Sequence, residues 1–199
     1  ELEYLNYLLK TLENGTPLSK LEELNYDYIK DLHLLSAKPV IYIFNVDEST
    51  MADDDKKAEL ENLVKPNKAT FICAKLEEEL KDLSEEEAME LLESYGVKET
   101  GLDQVIHAAY DILGLQSYLT AGDKEIHAWT IKKGWTAPQA AGVIHTDFEK
   151  GFIAASIISY PDLVEADSEQ AVKATGKVRT EGRDYVMQPD DICDFRFNV

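Results

Sequence analysis

The spacing of apolar residues changes along this chain, and each change predicts an element. Leu2, Leu5, Leu9 and Leu12 recur at intervals of three and four, one stripe on an opening helix that Asn14-Gly15 breaks. Ser19-x-x-Glu22 then offers a capping box for a second helix, with Leu21, Leu24, Tyr28 and Leu32 as its inner face. From Val40 to Phe44 every residue is β-branched or aromatic, which predicts a strand covered on both faces in a parallel sheet. A helix around Asp53 to Leu63 leads to a second strand at Ala69 to Cys73, so strand, helix and strand alternate as in a βαβ unit. This strand runs into the turn Cys73-Ala74-Lys75, ahead of an acidic helix from Leu76 to Leu83.

Ser84-x-x-Glu87 starts a further helix that ends at Gly96. Gly101 to Leu113 is amphipathic, with Leu102, Val105, Ile106, Ala109 and Ile112 on one face and Gly114 as its stop. A domain boundary falls just after it. The remainder, 116–199, is strand-rich: Glu125 to Ile131, Phe152 to Ser159, Tyr185 to Met187 and Ile192 to Phe197 read as strands, Pro138 to Ile144 and Ser168 to Thr175 as helices. The fold class is α/β, and a mixed sheet of this size with one crossing helix fits a ubiquitin-like β-grasp.

Chemistry enters where the first strand stops. The stretch PVIYIFNVDE, Pro39 to Glu48, delivers Asn45 and Glu48 at a strand end, where open α/β sheets bind ligands. A second strand end brings Cys73, Ala74 and Lys75 beside it. No Gly-x-x-x-x-Gly-Lys-Ser/Thr loop occurs in the chain. This pattern describes half of a nucleotide site, the base-reading rim without the phosphate cradle, and predicts a C-terminal piece of a longer protein. Asn and Asp are also common in any turn after a strand, so an ordinary turn stays open as the alternative.

In P-loop GTPases the comparable turns read Asn-Lys-x-Asp and Ser-Ala-Lys, and the Asp carboxylate accepts from guanine N1 and N2. Here Val46 stands for the Lys and Glu48 for the Asp. Adenine presents an acceptor at N1 and no amino group at C2, so the change argues against strict guanine selection and relaxes the site toward ATP. With this Asn-x-x-Glu turn, with WTIKKGWTAPQAAGVIHTDFEKGF from Trp129 to Phe152, and with the closing FRFNV from Phe195, the chain resembles the YchF-type Obg-like ATPases over essentially its whole length.

The resemblance implies three parts: the end of a helical insertion over 1–20, the C-terminal half of a P-loop nucleotide-binding domain over 21–115, and a TGS domain of β-grasp type over 116–199. It implies base contacts from Asn45, Val46, Glu48, Cys73, Ala74 and Lys75. Asn45 would meet N7 and the exocyclic edge, and backbone amides near Ala74 and Lys75 would close the other side. ATP or GTP with Mg²⁺ would bind the complete protein, which would associate with ribosomes in translation and stress responses. The piece itself would hold no cofactor and no catalytic residue. Two departures from the family pattern are Cys73, where Ser is usual, and Trp135, where a smaller residue such as Thr is usual.

Composition narrows the field. The chain has 199 residues, 44% of them hydrophobic, enough for one large or two small cores. No apolar run is long enough to span a membrane, and ELEYLNYLLK lacks the layout of a signal peptide, so a cytoplasmic protein is expected. Cys73 and Cys193 suit reduced, buried thiols. The net charge is −19; 13 acidic and 9 basic side chains from Gln116 onward leave −15 for the first 115 residues. Runs such as Asp53-Asp54-Asp55 and Glu85-Glu86-Glu87 fall at helix starts, where carboxylates meet the positive end of the dipole. This field disfavours broad attachment to nucleic-acid phosphates.

A nucleic-acid reading survives only if Lys132, Lys133, Lys150, Lys177, Arg179 and Arg183 converge on one face. Lys132, Lys133, His145, Asp147 and Lys150 are the candidate partner surface. HTDFEKGF, His145 to Phe152, clusters polar residues but equally describes a turn in which Asp147 bonds backbone amides, Phe148 plugs the core and Gly151 takes a positive φ. His33, His107 and His127 show no metal spacing. The rival to the nucleotide reading is a regulatory module whose β-grasp face docks a ribosomal protein or ligand without catalysis.

Overall fold

The computed structural model describes residues 2–21, 23–122 and 125–198. The chain divides into two compact units, Glu1–Leu113 and Gly114–Val199. Gly114, the first residue of the second unit, has φ +63, in the left-handed region that an L side chain avoids.

In the first unit, α1 (Leu2–Glu13) is followed by short 3₁₀ turns at Leu18–Lys20, Tyr26–Tyr28, Lys30–Leu32 and Leu35–Ala37. The expected second helix does not form, and Glu22 of its capping box lies outside the described residues. Two local devices displace it: the Asn25 side chain accepts from the Asp27 amide, and His33 takes a left-handed φ of 48. Tyr28 and Leu32 are consequently exposed, and the core here forms from Leu8, Leu18, Ile29 and Ala37.

Strand β1 (Ile41–Asn45) leads through α2 (Glu48–Met51) and α3 (Asp54–Val64) to β2 (Lys68–Ile72), and the two strands pair in parallel. β1 is not covered on both faces as its composition predicts. Among the described residues the sheet has two strands, so Tyr42 and Ile43 stay 41% and 47% exposed. The next helix, α4 (Ala74–Leu80), begins directly at the turn rather than after it. α5 (Glu85–Ser94) carries the expected capping box, with the Ser84 hydroxyl and Glu87 carboxylate exchanging bonds at its start. α6 (Gly101–Ile112) turns Val105, Ala109 and Ile112 inward but leaves Leu102 and Ile106 exposed. Its first amide, on Gly101, donates to Glu77 at 2.6 Å, and a Cβ there would stand 2.8 Å from Ile72, so α6 docks hard behind β2.

The second unit opens with β3 (Leu115–Ala121), a strand the sequence reading did not find, and β4 (Ile126–Lys132) pairs with it antiparallel. Then come α7 (Ala137–Ile144), α8 (Thr146–Lys150), β5 (Phe152–Ser159), α9 (Tyr160–Ala166), α10 (Glu169–Ala174), β6 (Arg179–Glu181) and β7 (Asp191–Phe197). The sheet is mixed, five-stranded, in the order β4-β3-β7-β5-β6, with β7 parallel to β3 and antiparallel to β5. α7 lies on one face. Its Ala140 and Ala141 are fully buried against Tyr118, Ile131, Phe152, Ile157 and Phe195, and small residues there let helix and sheet approach closely. Tyr118 donates its hydroxyl to the Ala140 carbonyl at 2.9 Å. The other face carries a smaller core of Ile158, Val172 and Ile192.

Tyr185–Met187 is not a strand. A single bridge joins Val186 to Thr136, with the Ala137 amide donating to the Tyr185 carbonyl at 2.8 Å and the Met187 amide to the Trp135 carbonyl at 2.9 Å, and side chains add to this hold. The Tyr185 hydroxyl and the Gln188 amide donate to the Asp191 carboxylate at 2.9 and 2.8 Å, with Arg179 at 3.3 Å, so a carboxylate only 1% exposed is fully satisfied. Burial and the Asp191 charge push the Tyr185 phenol up to about 12.

The His145–Phe152 segment also differs from expectation. It forms the short helix α8, capped by His145, whose Nδ1 accepts from the Asp147 amide at 3.2 Å; Asp147 is not the capping acceptor. Phe148 does pack against the core and stacks on Phe197 at 3.7 Å. Gly151 has φ −87, not a positive value; the glycine is required because a Cβ would run into the Asn198 carbonyl. Gly151→Ala should therefore destabilise the second unit by about 1–3 kcal/mol in chemical denaturation, as overpacking against a backbone does. An unchanged denaturation midpoint would show that the β7 end can give way.

Candidate functional site

Two strand ends meet because the β1–β2 register is fixed by what lies just inside them. Phe44 and Phe71 are register partners and stack across the strands with centroids 5.4 Å apart. One step further, the Val46 amide donates to the Ile72 carbonyl at 2.8 Å, which extends the ladder beyond Asn45. Asn45 is thereby placed opposite the start of α4, and its Oδ1 accepts from the Ala74 amide at 3.1 Å. That bond satisfies one of the amides a helix leaves open at its first turn. It also leaves the Asn45 Nδ2 protons free to donate outward.

The second link is ionic. Lys75 Nζ lies 2.8 Å from Glu48 Oε1, and its ammonium is held above the ordinary lysine range by that hydrogen bond, by the Glu48 charge and by Glu79. Glu48 is thus held by α4's second residue, although it belongs to α2. Between them Asp47 caps α2: it accepts from the Thr50 amide at 2.8 Å and from the Ser49 hydroxyl at 2.9 Å. Bonds from Thr50 and then Ser49 bring the Asp47 carboxyl down to about 2.

The structure gathers every base-contact candidate, Asn45, Val46, Glu48, Cys73, Ala74 and Lys75, around one open depression of about 450 Å³, and adds Asp47 to its wall. Sequence reasoning missed Asp47, although an Asp three residues ahead of Thr50 is a recognisable helix-start signal. Cys73 is 3% exposed and belongs to the core of Met51, Phe71, Leu76 and Leu92 beneath the depression, so a thiol in place of a hydroxyl alters packing rather than the polar rim.

A divalent cation does not fit this arrangement. Glu48 is already engaged by an ammonium, and among the described residues no three His, Cys, Asp or Glu side chains are grouped to hold a metal. The rim offers instead amide donors from Asn45 and an acceptor–donor pair from Glu48 and Lys75, groups that match the polar edge of a heterocyclic base.

The candidate partner residues lie on two elements of the second unit, the end of β4 and the α8 segment. Lys132 and Lys133 close β4, where the Lys133 amide bonds the Gly114 carbonyl at 2.8 Å. His145, Asp147 and Lys150 sit on α8, which packs against β7. Several basic side chains that could have converged are committed elsewhere: Lys177 to Asp162 and Glu165 at 2.8 and 2.7 Å, Arg179 to Asp191, and Arg183 to the Phe152 carbonyl at 3.0 Å. Cys193 is buried, and burial pushes its thiol up.

The class these features define is an α/β unit with two parallel strands followed by a mixed-sheet unit, and comparison with known proteins shows the family. Residues 115–198 match the family model YchF-GTPase_C, described as a protein of unknown function. The whole chain is 43% identical to the ribosome-binding ATPase YchF of Bacillus subtilis and 42% identical to that of Mycoplasma genitalium, covering 56% of each. It is also 41% identical to Obg-like ATPase 1 of Pongo abelii, over 83% of this chain and 43% of that one. The solved YchF GTPase of Schizosaccharomyces pombe superimposes with a TM-score of 0.75 at 36% identity, over 96% of this chain and 53% of that one. The chain belongs to the YchF-type Obg-like ATPase family, whose C-terminal region it matches, and it spans about half the length of these relatives.

Asp47 gives a pH prediction. Its folded pKa of about 2 lies below the ordinary value of 3.8, so its contribution to α2 is complete above the ordinary value and is lost as the pH falls through about 2. An NMR titration should show the Thr50 amide shifting with a midpoint near 2 and no such transition in Asp47→Asn. A midpoint at the ordinary value would remove the cap from the account.

Proposed function

We propose that the depression at Asn45, Glu48 and Lys75 is the purine rim of a P-loop NTPase of the YchF type, which binds and hydrolyses ATP, and in some settings GTP, with Mg²⁺ at phosphate-side loops outside this chain. The observation that carries the reading is the Asn45–Ala74 bond, which ties two strand-end turns around one hollow and uses the Asn45 carbonyl oxygen rather than its amide protons. Asn45 Nδ2 donates to purine N7. The Lys75–Glu48 pair meets the Watson–Crick edge, and Val46 with the α4 start walls the hollow.

The pair also accounts for relaxed base choice. A free carboxylate at this place accepts from guanine N1–H and N2–H₂ together and repels the adenine N1 lone pair. With one oxygen held by Lys75 at 2.8 Å, its charge is neutralised and a donor stands beside an acceptor, an arrangement either purine can use. The parent protein works with the ribosome, as the names of its bacterial relatives suggest, and a ribosome-bound role puts it in the cytoplasm. The second unit's strand order, which is 2-1-5-3-4 in its own sequence, and α7 packed on one face of the sheet between β4 and β5 in sequence support a β-grasp of TGS type. A second reading rests on that unit having a core of its own: it acts as a docking module without catalysis. Ribosome capture by residues 116–199 alone would favour that reading.

Without contacts to the triphosphate, this chain should bind ATP–Mg²⁺ no tighter than millimolar in calorimetry, and micromolar affinity would contradict the assignment. At millimolar 5′-AMP, NMR should show shifts at the amides of Val46, Ala74 and Lys75 and not in the second unit; no shift at those amides would remove the rim. Lys75→Met should move the AMP-to-GMP affinity ratio roughly two- to fivefold toward GMP, the scale of an exposed ion pair. An unchanged ratio would separate base choice from this pair.

A further inference from the structure

A second cavity, of about 570 Å³, lies wholly within the second unit, where the sheet continues past the end of α7. Its walls are aromatic: Trp129 and His127 from β4, Phe148 from α8, and Phe197 from β7. Each ring is held. The Trp129 indole donates to the Thr120 hydroxyl at 2.9 Å, His127 lies against the indole with centroids 4.1 Å apart, and Phe148 stacks on Phe197 at 3.7 Å. None of these groups takes part in the purine rim.

The charged side chains on this wall, Glu125 and Asp194, are acceptors. His127 Nδ1 lies 3.0 Å from Glu125 Oε1, and since a carboxylate only accepts, Nδ1 carries a proton; when the ring is neutral, Nε2 is then an acceptor. Glu125 keeps its second oxygen. The Trp129 N–H, the obvious donor, is spent on Thr120. Among the described residues lining the cavity there is no Lys or Arg. The cavity therefore combines π faces and the carboxylates of Glu125 and Asp194, with no lysine or arginine among its described lining residues, within a unit whose own charges sum to −4 from Gln116 onward.

We propose that this cavity binds the guanidinium of an arginine side chain presented by a basic peptide segment of a partner protein. A guanidinium is planar, stacks on an aromatic face, and carries donors along its edge for Glu125 and His127. Its charge complements the wall, whereas a nucleic-acid strand would bring phosphates to an acidic surface with no cation to meet them. The partner residues expected from sequence alone, Lys132 and Lys133, do not line it: Lys132 stands five positions along β4 from His127, about 16 Å of strand.

The test compares a blocked Gly-Gly-Arg-Gly-Gly peptide with its citrulline counterpart, which keeps the shape and loses the charge, by NMR on the full 199-residue chain. The arginine peptide should give saturable shifts at Thr120, His127, Trp129 and Phe197. Citrulline and the exposed-site variant Glu125→Gln should each weaken binding roughly three- to fivefold, the scale of a cation–π contact with an acceptor at its edge. Trp129→Leu should weaken it further, with Glu125→Gln serving as the comparison if the indole proves necessary for folding. Equal binding of arginine and citrulline, no shift with either peptide, or displacement of the peptide by oligouridylate from the same amides would each overturn the proposal.

Discussion

The parallel pairing of two short strands is the constraint on which the first unit's chemistry rests. A parallel pair brings two carboxyl ends to the same edge, and the stacked Phe44 and Phe71 set the register so that the two following turns meet. Everything polar follows from that meeting. Asn45 reaches the first amide of α4, Lys75 reaches back to Glu48, and Asp47 steadies the short helix from which Glu48 projects. A slip of one residue would move Asn45 away from Ala74 and turn Phe44 out of its stack. α6 reinforces the arrangement from behind, through the Gly101 amide on Glu77 and the close approach to Ile72.

The second unit solves a different problem. Its sheet must bury two faces with few large side chains, and it does so by alternating small residues on α7 with aromatic residues on the strands. Where α7 ends, the aromatic surface continues uncovered and becomes a cavity. At the other end of β5, a buried carboxylate, Asp191, adds side-chain bonds to the short backbone bridge that holds the 185–191 segment. Both places show side chains contributing where regular structure stops.

Much of this was legible in the sequence, and the failures have identifiable physical causes. The run Val40–Phe44, the Ser84–Glu87 box and the Gly96 and Gly114 stops fixed elements because each signal is local and acts through the backbone of its own segment. The two polar turns were readable for the same reason, but the Lys75–Glu48 bond between them was not, since 27 positions separate its partners. β3 was missed because Leu115–Ala121 mixes polar and apolar residues without a clean alternation; only its position between β4 and β7 makes it central. The helix expected after Ser19 failed to an Asn25 turn, a short-range competitor that a count of apolar spacings does not weigh. Gly151 was assigned a positive φ when the need was space, and space against Asn198 depends on a strand 47 residues downstream.

The account's central claim is that Asn45 has two separable duties, accepting from Ala74 to join the turns and donating outward to a purine. Asn45→Asp keeps the acceptor and removes the donors. NMR of this variant with 5′-AMP should therefore show an Ala74 amide that is still hydrogen-bonded and protected from exchange, together with loss of the AMP-induced shifts at Val46, Ala74 and Lys75. Retention of those shifts at wild-type affinity would contradict the claim, because the base would then be held by something other than the Asn45 amide.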